Sequence, residues 1–244
     1  MGADEVYDTT FAADMSVMEE TAEFLQRLEK GGPFPMFTSC CPAWIRYLEH
    51  DVDLVLTTQE FIRMIKEAGI RFNELPDEAP DMPFGLGTGA GVIFGTTGGV
   101  AEAVARRVME SESKNTLQAI AHSGLRGADG IRAAELTIGD KTVRIGVVHG
   151  LKNARQLIAK MEAGEEHFDL VEVMTCTNGC VGGAGQPIGR KEQKYARAKG
   201  LYEADRKTLI KSSQHNPILK TFYEKLPPEK AHELLHVHYP QPEK

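Results

Sequence analysis

Four cysteines stand in this chain of 244 residues, and they fall in two pairs. Cys40 and Cys41 are adjacent in FTSCCPAW, and Cys176 and Cys180 lie in VMTCTNGCVGGAGQP. A single cysteine is most simply a small buried hydrophobe. A Cys176–Cys180 disulfide is disfavoured in a reducing compartment. Zinc fits poorly, because neither C-C nor C-x3-C is the C-x2-C knuckle of zinc ribbons. After Cys180 the chain reads VGGAGQP, nearly free of side chains. Such a stretch lets backbone approach a bulky cofactor and aims N–H groups at an anion. Thiolates on sparse, glycine-flanked loops suit an iron–sulfur cluster.

The elements that must position these residues read as alternating strands and helices. A capping box at Ser16–Glu19 predicts a helix start, with Val17, Met18, Ala22, Phe24, Leu25 and Leu28 as its apolar face and Gly31-Gly32 as its stop. PFPMF reads as a short strand leading to Cys40, and Pro42 suits the first turn of a helix over AWIRYLEH. DLVLTT (53–58) reads as a buried strand, followed by a helix closed by Gly69. Residues 75–90 read as a loop, and GVIFGTTGGVAEAVARRV as a glycine-rich entry into a helix. Gly139-Asp140 marks a hairpin. A helix near 151–163 and a strand FDLVEVM deliver the chain to Cys176, and the tail from about 190 reads as helical with a break at His215–Pro217. The expected fold class is α/β: two lobes of mixed sheets flanked by helices, a cofactor cleft between them and a helical C-terminal extension.

Bulk properties narrow the partners. Hydrophobic content is 41% and charged content 26%, the balance of an ordinary globular protein. A net charge of −7 argues against a nucleic-acid partner held by phosphate neutralisation. The acidic start MGADEVYDTT is not a secretory signal, and Val6 stands where a myristoylation motif needs Ser or Thr. No apolar run approaches the ~20 residues of a membrane helix. The expected location is cytoplasmic.

TSCCPAW resembles the first signature of FeFe-hydrogenases, TSCCPxW, and EVMTCTNGCVGGAGQP resembles the third, ExMxCxxGCxxGGGQP. VYDTTFAADMSVMEE, VDLVLTTQE, TGAGVIFGTTGGVAEA and the tail to HELLHVHY carry the resemblance through most of the chain. It implies a shortened hydrogenase domain over 1–190 and a small-subunit-like extension over 191–244. It also implies an H-cluster, a 4Fe–4S cubane joined through one cysteine to a di-iron unit with carbonyl, cyanide and dithiolate-amine ligands, which interconverts protons, electrons and dihydrogen. By the same resemblance Cys41, Cys176 and Cys180 ligate the cubane, and Cys180 bridges to the di-iron unit. Cys40 is the last proton donor. Glu20, Glu23 and Arg27 match the family's proton route; they fall at i, i+3 and i+7, one face of one helix, although a solvated charged face is the plain reading of that spacing. Met174, Phe94 and Gly95 match the surroundings of the di-iron unit, though Met174 and Phe94 also suit plain core. The implied partner is a ferredoxin or another electron carrier.

The family's second signature, MPCxxKxxE, has no counterpart. The first-motif helix ends at His50 and runs straight into DVDLVLTT, and Met82-Pro83 is followed by Phe84 rather than cysteine. The missing cysteine is the fourth cubane ligand; His50, Asp51 or a second chain are the candidates to replace it. Two competing readings remain. One is a non-catalytic iron–sulfur assembly or sensor protein of the same family. The other is a zinc protease, since His232-Glu233-Leu-Leu-His236 spells HExxH.

Overall fold

The computed structural model describes residues 4–38, 56–109, 113–226 and 230–231. Within them a four-stranded sheet runs in the order β1-β4-β3-β2. Strands β2 (Ile131–Ile138) and β3 (Lys141–His149) form the expected antiparallel hairpin around Gly139, which takes φ +62° in the turn. β4 (Leu170–Met174) pairs parallel with β3, and the short β1 (Met36–Thr38) pairs parallel with β4. Alternation sorts the side chains into two layers. Met36, Val143, Ile145, Val147 and Leu170 face one core with Phe24, Ala101, Val104 and Ala105. Val148 and Val171 face a second core with Ala154, Leu157 and Phe168.

The first core is closed by helices α1 (Thr10–Lys30) and α3 (Gly99–Val108), the second by α5 (Leu151–Glu162). Between β1 and α3 lies helix α2 (Thr58–Glu67), and between α3 and β2 lies α4 (Lys114–His122). The C-terminal extension holds α6 (Lys191–Lys207) and α7 (Pro217–Lys225). The break between them covers 208–216, longer than the expected His215–Pro217.

Two expectations fail. Helix α1 begins at Thr10, six residues before the capping box; Ser16 sits mid-helix and donates its hydroxyl to the Ala12 carbonyl. The extra turns are held by Asp14, which is buried and accepts from the Thr88 amide at 2.9 Å and from Ser213 Oγ at 2.7 Å. A satisfied buried carboxylate anchors a helix as firmly as an apolar residue, and it breaks the periodic signal. Ala22, assigned to the apolar face, is exposed, while Phe11 and Thr21 are buried. The strand over 53–58 is also not found at its described end: Leu56 is exposed, and Thr57 caps α2 with a reciprocal Thr57–Glu60 capping box. Residues 53–55, the AWIRYLEH helix and the lobe centred on Cys41 lie outside the described residues.

Candidate functional site

β4 ends at Met174 and hands the chain to a tight loop carrying Cys176 and Cys180. Backbone bonds fold it into successive turns: Gly179 N–H donates to Cys176 O at 3.0 Å, Gly182 N–H to Gly179 O at 3.0 Å, and Gly183 N–H to Cys180 O at 3.0 Å. Asn178 and Gly179 take φ of 68° and 82°. A β-carbon on Gly179 would lie 2.7 Å from the Thr97 amide nitrogen. The loop is thus clamped beneath Gly95–Thr97, and Thr97 N–H donates to Asn178 O at 3.3 Å. Only a residue without a side chain fits there. Cys176 is half-buried with its sulfur within 3.5 Å of where a Gly183 β-carbon would stand, and Cys180 is exposed.

The fixed loop presents two thiols four residues apart from a stretch poor in side chains. This donor set fits one side of an iron–sulfur cluster and does not complete it. Among the described residues no group of three or more His, Cys, Asp or Glu could hold a metal ion. Cys40, Cys41, His50 and Asp51 lie outside the described residues, so convergence of the two cysteine pairs is not placed. His232, Glu233 and His236 lie outside them as well.

The other named residues fall around this loop. Met174 is buried at the end of β4. Phe94 is half-buried and packs against Val17, Ala90 and Ala103. Gly95 admits Leu201 and Val181; a β-carbon there would come within 2.7 Å of Leu201 Cδ1. Glu20, Glu23 and Arg27 do share one face of α1, and none of the three is exposed. Glu23 pairs with Arg27, whose guanidinium also donates to Pro33 O at 3.2 Å. Glu20 accepts from the Thr38 hydroxyl. Enclosure of its carboxyl pushes Glu20 up to about 7 against that hydrogen bond, and the Glu172 and Glu23 charges push the same way. A carboxyl at that value exchanges a proton near neutrality.

Sequence reasoning missed Glu172. It lies on β4 directly beside Thr38 of β1, on the same face of the sheet, and is fully buried. Its carboxylate accepts from Gly98 N–H at 2.6 Å and Ala101 N–H at 2.8 Å, at the N-terminus of α3. Burial raises it to about 7, opposed by those amides and by Arg132. Glu20, Thr38 and Glu172 therefore form one polar seam joining α1 to the strand that carries the cysteine loop. Two clues were present in sequence: a glutamate amid the apolar residues of LVEVM, and its place as the leading glutamate of the EVMTCTNGC signature.

The extension is joined to this core by a second polar cluster. Arg106 on α3 contacts Glu102 at 2.7 Å and Asp205 of α6 at 2.7 Å, all three buried. Arg126 reaches Glu102 at 2.6 Å and stacks 4.2 Å over the Tyr202 ring.

The family model described as the iron only hydrogenase large subunit, C-terminal domain, matches residues 1–51 and 49–184. The chain belongs to the iron-only hydrogenase family. A second model, iron hydrogenase small subunit, matches residues 191–241, which include the HExxH string. The chain is 35% identical to the NADP-reducing hydrogenase subunit HndD of Solidesulfovibrio fructosivorans and 32% identical to iron hydrogenase 1 of Clostridium pasteurianum; in each case 98% of this chain and 54% of the relative are covered. It thus spans about half the length of these relatives. Among solved structures, a HydA hydrogenase described for stepwise H-cluster assembly superposes with a TM-score of 0.76 at 33% identity, covering 98% of this chain and 84% of that one. A Chlamydomonas reinhardtii FeFe-hydrogenase gives 0.74 at 33% identity, with 98% and 85% covered.

The hydrogenase match breaks at 49–51, and the HndD alignment runs over 315 residues against a chain of 244. The relatives therefore carry sequence that this chain lacks. The family also reaches proteins of other description: the nuclear prelamin A recognition factor of Xenopus laevis is 23% identical, with 92% of this chain and 65% of that protein covered. Among the described residues no helix is long and apolar enough to cross a membrane.

Proposed function

We propose that this chain is an H-cluster hydrogenase domain, interconverting two protons and two electrons with dihydrogen and exchanging electrons with a ferredoxin-type carrier. The observation that carries the reading is the clamped loop that offers Cys176 and Cys180 at the end of β4, next to Met174 and the Gly95–Thr97 turn. Cys41, Cys176 and Cys180 would hold the cubane, and Cys180 would also reach the di-iron unit. When bound, that group supplies the redox and hydrogen-binding chemistry. The protein's own residues supply protons. Glu20, at about 7, holds or releases a proton near neutrality on the inner end of the α1 face. The paired Glu23 and Arg27 continue that face outward, and Cys40 is the proton donor closest to the cofactor. The fourth cubane position falls to His50, Asp51 or a second chain.

A second reading, iron–sulfur assembly or sensing without hydrogen chemistry, draws support from the interrupted match at 49–51 and from relatives such as the cytosolic Fe-S cluster assembly factor narfl of Xenopus tropicalis, 22% identical. Infrared spectroscopy on the chain matured with its cluster separates the two. Carbonyl and cyanide bands that disappear in Cys180→Ser are the expected result. Bound iron and sulfide without those bands would favour the second reading, and stoichiometric zinc in place of iron would overturn both.

A further inference from the structure

Helix α2 is thinly covered among the described residues. None of its ten residues is buried. Its apolar residues sort by exposure: Ile62 and Ile65 are half-buried, while Phe61 and Met64, three apart and so neighbours on one face, are exposed. Phe61 is 45% exposed, and Phe72 and Leu75 just beyond are 65% and 52% exposed. Isolated helices shorter than about 12–15 residues are marginal in water, and packing of an apolar face normally holds them. Among the described residues, the hydrogen bonds that tie this helix to the rest of the protein lie at its start, Gln59 N–H to Gly185 O at 2.9 Å and Gln186 Nε2 to Thr58 Oγ1 at 3.0 Å. β1 is similarly incomplete. It lies at the end of the sheet, its outer edge is unpaired among the described residues, and Phe37 on it is 50% exposed. An open strand edge beside an exposed apolar surface is a template for another chain.

Both features flank the same place in the sequence. β1 ends at Thr38 and α2 begins at Thr58. The family match breaks between them, at 49–51, and the HndD alignment runs over 315 residues against the 244 of this chain. We propose that the apolar face of α2, the Phe72–Leu75 turn and the open edge of β1 form a docking surface for a second polypeptide bearing the hydrogenase-domain segment absent at 49–51. A second copy of this chain lacks that segment and would not supply it. The proposal rests on the hydrogenase-domain reading only for the identity of the segment, because docking needs neither a bound cluster nor turnover.

The test uses the full chain and, as a separate polypeptide, the residues of HndD that fall in the interruption of the alignment. Size-exclusion chromatography with light scattering reads stoichiometry, and amide hydrogen exchange reads protection. The expected result is a one-to-one complex, fast exchange over 58–75 in the chain alone, and protection of those residues on binding. Phe61→Asp with Met64→Asp should weaken binding about 30-fold or more, the loss of a central interface anchor. Arg63→Glu, on the opposite side of α2, should leave it intact. Absence of a complex overturns the proposal. So does slow exchange over 58–67 in the monomeric chain, which would mean its own residues cover the face, or a homodimer that Phe61→Asp dissociates. Docking is read by chromatography and exchange alone, so absence of the complex sinks this inference and leaves the hydrogenase reading standing, whereas a complex formed by a chain that never acquires carbonyl and cyanide bands does the reverse.

Discussion

The cysteine loop and helix α2 lie side by side, joined through Gly185 and Gln186, yet they are built in opposite ways. The loop is held by turns within it, by the Gly95–Thr97 segment, by Arg197 of α6, which donates to Val181 O at 3.1 Å, and by its attachment to buried Met174. Helix α2 has good local signals, a capping box and a glycine stop, yet none of its residues is buried. Local sequence preference is thus sufficient to write a helix but not to seat it. Placement of the two thiols draws on contacts with Gly95–Thr97, about 80 positions away in the chain. The half of the site that the structure describes is preorganised, while the elements flanking residue 50 present surfaces with no partner among the described residues.

The largest effect on the seated half should come from Arg106→Met. It leaves Glu102 and Asp205 buried with one cation fewer, and breaking such a cluster costs about 3–5 kcal/mol. Chemical denaturation should show that loss together with detachment of α6. A smaller change is expected at Gly179→Ala, where the β-carbon meets the Thr97 amide and the backbone holds φ +82°. A loss of about 1–3 kcal/mol should appear, accompanied by weaker iron retention. Retained iron at unchanged stability would show that the loop is not clamped as described.

The polar seam predicts a pH dependence. Glu20 and Glu172 are both raised to about 7 from ordinary carboxylate values. Folding then favours their protonated forms, so stability is fully present below about 4.5, falls as pH rises toward 7, and is flat beyond. Glu20→Gln should flatten that decline. It should also lower the Glu172 midpoint, since coupling between two sites is reciprocal, and carbon-13 NMR of the carboxyl groups reads both. The smallest effect is expected at Phe61→Ala in the chain alone. With Phe61 45% exposed, stability should change by about 0.5 kcal/mol or less; a loss above 2 kcal/mol would show that the helix is seated after all.

Much of the scaffold was legible in the sequence because local rules and tertiary structure agree there. The Gly139 hairpin, helices over 58–67, 99–108 and 151–162, and the strand delivering Cys176 follow from period and punctuation. Two of the misses share a cause. Asp14 and Glu172 are polar residues at core positions, satisfied by amides and hydroxyls far away in sequence. A pattern reader treats each as an interruption, so the start of α1 was misplaced and the partner of Thr38 went unseen. Glu20, Glu23 and Arg27 were recognised by resemblance, whereas their spacing alone suited a solvated face. The structure adds that Glu20 is enclosed at the Thr38 end of that face.

The central claim is that Cys176 and Cys180 are ligands held by a rigid loop, while Cys40 carries protons. Iron quantification with electron paramagnetic resonance on Cys180→Ser and Cys40→Ala, prepared and matured alike, tests it most directly. The account predicts that Cys180→Ser loses the cluster signal. It predicts that Cys40→Ala keeps iron and spectrum while hydrogen turnover falls by about 10²–10⁴-fold, the usual contribution of a proton-transfer group. Loss of the cluster in Cys40→Ala would contradict this assignment and make Cys40 the fourth ligand; an unchanged signal in Cys180→Ser would contradict the ligand role of the loop itself.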